Sequence, residues 1–69
     1  MVNKMKNRQV YNRKIVSLIS DMVEKCPDMR FIQLLWALGI VNREDRFYEE
    51  SKETNEIVIK NMEKVHNEQ

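Results

Sequence analysis

The apolar positions of this chain recur with the period of a helix in three separate stretches. Tyr11, Ile15, Leu18 and Met22, with Ile19, Val23 and Cys26 alongside, fall at i, i+3, i+4 spacing, and Arg13, Ser17, Ser20, Asp21 and Glu24 form the opposite, polar face. The pattern predicts a first helix over 8–25, ended by Pro27, which the preceding residue cannot enter in helical conformation. Ile57, Val58, Met62 and Val65 mark a third helix. Ser51 is expected to cap it, Glu56 and Lys60 to pair one turn apart, and Lys64 and His66 to suit the dipole of the last turn.

Between them lies PDMRFIQLLWALGI, residues 27–40, where Arg30 and Gln33 are the only polar side chains between Met29 and Leu38. Asp28 is expected to cap a second helix over 29–38, Gly39 to end it in the left-handed conformation, and Ile40 to supply the apolar contact that follows such an end. A helix apolar on most of its circumference has to be covered on more than one side. Its two stripes, Trp36 with Ile32 and Met29, and Leu34 with Leu38 and Phe31, lie about 100° apart. The first is either covered by the third helix or is an intermolecular surface. Leu35 is expected to be buried at the centre of stability. Before the third helix, Asn42 and Asp45 suit a single extra turn, and Phe47 and Tyr48 are expected to split, one sealing the core and one at its rim. The fold class is therefore all-α: a small three-helix domain with a central apolar helix 2 and a short extra turn before helix 3.

Size sharpens the picture. Sixty-nine residues make one small domain, and one cysteine (Cys26) and one histidine (His66) provide neither a disulfide framework nor a zinc site. A lone cysteine suits a reducing compartment, no stretch is apolar for long enough to span a membrane, and a cytoplasmic setting is expected. Self-association through the Trp36 side, giving a homodimer, is expected to compensate for the small core.

The net charge of +1 conceals an asymmetry: residues 1–20 hold five bases and no acid, whereas residues 43–69 hold eight acids and five bases. Residues 1–7 lack periodicity and stack positive charge where a helix start would repel it, so they are expected to be a flexible basic arm ahead of a domain over 8–67. The basic residues are Lys4, Lys6, Arg8, Arg13 and Lys14, interleaved with Tyr11 and several amides. They suit phosphate contacts or, alternatively, pairing with the acidic half, within the chain or across a dimer.

Pro27 to Gly39 and Asp45 to Ser51 resemble the PDxR-hydrophobic-xQLLxxLG and DxFYxES stretches of a family of short bacterial and phage proteins of unassigned function. The likeness covers about residues 12–58. Ile32 departs from it, standing where a small residue is expected. The resemblance implies a helical fold and a cytoplasmic setting, and no reaction.

No nucleophile set, CxxC or glycine-rich loop is present, so neither an enzyme nor a cofactor is expected. Glu49, Glu50, Glu53 and Glu56 lie on one segment, and a helical metal site needs carboxylates from two helices. Arg30 either grips a partner's anionic group or pairs internally with Asp45 or Glu49. A helix-turn-helix would need residues 43–50 to read a groove, and that segment is short and acidic. The expectation is a non-enzymatic protein acting by protein–protein contact, a regulator or inhibitor, phage-encoded and directed at a host or defence enzyme that handles nucleic acid. Arg30, Gln33, Trp36, Phe47 and Tyr48 are its candidate contact residues. The alternative is an accessory nucleic-acid-binding protein using the basic arm.

Overall fold

A computed structural model describes the backbone of residues 4–44 and 46–68, and side chains between residues 7 and 65 apart from Asp45. Its elements are α1 (Lys4–Lys25), α2 (Phe31–Ala37) and α3 (Ser51–Glu68), with no strand among the described residues. The three predicted helices are present and the domain is all-α.

The helix starts differ from the sequence pattern. α1 begins at Lys4, so residues 4–7, expected in a flexible arm, continue the helix; Lys and Met are good helix formers, and this outweighs charge at the dipole. α2 begins two residues late. The Met29 amide donates to the Cys26 carbonyl at 3.1 Å, closing a turn with Pro27 and Asp28 at its centre. Asp28 is thereby used in the turn, and extended Arg30 starts α2 without a side-chain cap. Ser51 does not cap α3 either. The Glu50 carbonyl accepts the first helical bonds, from Glu53 at 3.0 Å and Thr54 at 3.1 Å, and the Ser51 hydroxyl donates to Asn12 on α1.

The end of α2 follows the sequence closely. Gly39 has φ +80°, its amide donates to Trp36 (3.0 Å), and the Ile40 amide donates to Leu35 (2.9 Å), the two bonds of a Schellman motif. Here tertiary packing adds a second demand, because a Cβ at Gly39 would lie 2.6 Å from Asn61 Nδ2.

Arg8 meets Glu50, Asn12 meets Ser51, and Lys14, Ser17 and Leu18 share a groove with Asn55 and Ile59, so α1 and α3 run in the same direction. A parallel pair needs a return crossing, which α2 and residues 38–50 provide. The core lies where α2 closes the pair: Met22, Cys26, Leu34, Leu38, Val58 and Val65 are buried, with Ile15, Leu18, Ile19, Met29, Ala37, Ile40 and Met62 packed around them. Leu34 and Leu38, rather than half-buried Leu35, anchor α2. The other end of the α1–α3 pair is held by polar contacts. Asn55 lies between these ends, buried, and its Oδ1 has no hydrogen-bond partner among the described residues. No helix among the described residues is long and apolar enough to cross a membrane.

Candidate functional site

The candidate contact residues fall in two places. On α2, burial of Leu34 and Leu38 turns the rest of the helix outward, and Phe31 (56%), Ile32 (59%) and Trp36 (47%) keep about half their surface exposed. The Trp36–Ile32 stripe is thus not covered by α3. Phe31 shares the side of Leu34 and Leu38, yet as the first residue of α2 it projects past the core. Arg30 and Gln33 are exposed beside this face. Arg30 makes no ion pair among the described residues, and Asp45, one of its expected partners, lies outside them.

The internal tie expected of Arg30 is made by Arg46. Its guanidinium grips both oxygens of Glu49 (Nε–Oε2 2.8 Å, Nη2–Oε1 2.6 Å) and donates through Nη1 to the carbonyl of Gly39. The Thr54 hydroxyl donates to Glu49 at 2.6 Å, and Asn61 Nδ2 donates to the Leu38 carbonyl at 3.1 Å. These bonds join the end of α2 to the first turn and the middle of α3. The Arg46 bonds, and then the Thr54 hydroxyl, hold the Glu49 carboxyl below its ordinary value; Glu49 in turn raises Arg46. α2 is therefore presented on a fixed support.

Phe47 and Tyr48 lie elsewhere. The Glu49 amide donates to the Arg46 carbonyl at 3.0 Å, which places the two aromatics at the middle of a reverse turn. Neither seals the core: they are 82% and 91% exposed, packed edge to face at 5.1 Å and 79°. A turn tip has no interior side, so both are pushed outward.

The basic residues line α1. Arg8 forms a two-pronged pair with Glu50 (3.0 and 2.9 Å), and Lys14 sits 4.9 Å above the Tyr11 ring. Glu50 raises the Arg8 guanidinium, through its hydrogen bond first. Arg13 is exposed, and Lys4 and Lys6 belong to the first turn of α1 with side chains outside the described residues. A cleft of about 390 Å³ is lined by Arg8, Phe47, Tyr48, Glu49, Glu50 and Ser51, and another of about 330 Å³ by Asn7, Arg8, Tyr11, Glu50, Lys52 and Glu53, so the Arg8–Glu50 pair borders both.

Among the described residues no three His, Cys, Asp or Glu side chains gather to hold a metal ion, and the Cys26 thiol is buried. The chain matches no family model, no curated protein and no solved structure. Ile32 stands with Trp36 in the stripe that the sequence marks as a candidate intermolecular surface, whereas the exposure of Phe31 was not expected. The breadth of the apolar surface on α2 was the available signal, but which part of it the core would use was not.

Proposed function

We propose that this chain is a non-catalytic protein that acts by contact, a regulator or inhibitor that binds another protein through the outer face of α2. The observation that carries this reading is the half-exposure of Ile32 and Trp36 on the outer side of one short helix, with Phe31 exposed at its first residue, the helix being held by the Arg46–Glu49 and Asn61 bonds. Trp and other aromatics are typical interface anchors, and a fixed helix presents them with little ordering cost. The three side chains offer on the order of 300 Å² of surface, at roughly 200 Å² for a large side chain. Two such faces packed together would bury about 600 Å², below the roughly 1,200 Å² of a stable complex. That area favours a partner whose groove wraps the helix over a homodimer through α2 alone.

The test compares capture from a nuclease-treated bacterial lysate by the wild-type chain and by Ile32→Glu, a change at an exposed position. Partners recovered by the wild type are expected to be absent with the variant, whose dichroism spectrum stays the same. Equal recovery by a folded Ile32→Glu chain would remove α2 from the interface. Sedimentation equilibrium at micromolar concentration is expected to give a monomer; a dimer abolished by Ile32→Glu would make a second copy the occupant.

A further inference from the structure

We propose that the end of the molecule where α1 and α3 begin binds single-stranded nucleic acid, with bases stacking on Phe47 and Tyr48 and phosphates held by Arg8 and the cations around it. This surface shares no residue with the outer face of α2, and its occupant is of another class.

Three observations converge there. First, the parallel course of α1 and α3 puts two helix N-termini, each with partial positive charge, at the same end of the molecule. A hairpin of antiparallel helices would have cancelled this. Second, residues 4–14 and 46–53 hold seven basic and three acidic side chains. Arg46 and Glu49 engage each other, as do Arg8 and Glu50; among the described residues Arg13, Lys14, Lys52 and Glu53 form no ion pair, which leaves three cations to one carboxylate. Third, the rings of Phe47 and Tyr48 project from the turn tip directly beside Arg8, across one cleft. The two rings stand at 79° to each other, on residues that are 82% and 91% exposed.

Charge alone would suit any polyanion, and the aromatic pair narrows the class. Base–ring stacking is tolerant of sequence but needs bases with open faces, which single strands have and duplexes do not. An acidic peptide would use the cations and leave the rings idle. Arg8 is the natural phosphate ligand, since its planar fork already holds a two-oxygen anion in Glu50. Both members of that pair are about half exposed (47% and 52%), where an ion pair adds little net stability, so a phosphate can replace the carboxylate. Glu50 then acts as a built-in competitor of the strand, and removing its charge strengthens binding.

Fluorescence anisotropy of labelled oligo-dT and oligo-rU with the full purified chain tests this, titrated from about 50 to about 200 mM salt. Binding is expected to weaken steeply with salt and to be tighter for single strands than for a duplex of equal length. Phe47→Ala with Tyr48→Ala should weaken it about tenfold or more, with melting unchanged because both positions are exposed. Glu50→Gln should tighten it several-fold, and Tyr48→Trp should preserve it. Absence of binding at low salt, equal affinity of the double alanine variant, or weaker binding by Glu50→Gln would each overturn the proposal. So would a preference for duplex. The assay uses the purified chain alone, so its failure leaves the α2 reading untouched.

Discussion

Replacing Gly39 with alanine probes the point where local and tertiary demands coincide. An L-residue held at φ +80° costs roughly 1–2 kcal/mol relative to glycine. The added Cβ would also stand 2.6 Å from Asn61 Nδ2 and 2.9 Å from Ile57 Cγ2. Relieving the shorter contact means turning the Asn61 amide away from the Leu38 carbonyl, a loss of about 1 kcal/mol. The total is about 2–4 kcal/mol, once some of the remaining crowding by Ile57 is included. A domain of this size commands roughly 3–5 kcal/mol, so the variant should be close to unfolding. In a thermal melt followed by far-ultraviolet dichroism, the midpoint should drop by about 10 °C or more. A double-mutant cycle separates the two causes. Asn61→Ala should be less harmful in the Gly39→Ala background than alone, by about 1 kcal/mol, because it removes the atom in the way. A midpoint shift of only two or three degrees for Gly39→Ala would refute both the left-handed cap and the close approach of α3. Strict additivity would leave the backbone cost standing and refute the contact.

Three further outcomes follow from the packing. Leu38→Ala should cost about 2–5 kcal/mol in urea unfolding and Ile32→Ala less than about 0.5, because Leu38 is fully buried and Ile32 mostly exposed; similar losses would mean α2 is rotated about its axis. Glu49 has a depressed value in the folded state, so its contribution is complete above the ordinary glutamate range and is lost as pH falls through the folded-state value. Glu49→Gln should therefore cost about 1–3 kcal/mol at neutral pH, where it removes charge-assisted bonds, and the gap to wild type should close on acidification; a gap that widens would refute the pairing with Arg46. Asn55→Leu should be neutral or stabilising by about 1 kcal/mol, since it replaces a buried amide whose oxygen has no partner; a clear loss in chemical denaturation would show that the amide is satisfied.

Local features were legible in the residues and their spacing. Helical periodicity placed three helices, Pro27 ended the first, and Gly39 with Ile40 ended the second, because each depends on a few neighbouring residues and their allowed dihedral angles. Choices between nearby candidates were decided by tertiary contacts. Asp28 and Ser51 are both good capping residues, yet one is used in a turn and the other by Asn12 across the helix pair. Arg46 rather than Arg30 ties the turn to α2, since the Gly39 carbonyl and Glu49 come together only after the chain has doubled back. The parallel course of α1 and α3 has no sequence signature, because the same apolar stripe packs against a partner running either way. Phe47 and Tyr48 look like core residues by type and become surface features because the turn between residues 46 and 49 has no inside. The same holds for α2: its apolar breadth was legible, but only the docking of Leu34 and Leu38 decided which side remained exposed. Residue type and spacing fix what a side chain can bury, and long-range packing fixes what is there to bury it.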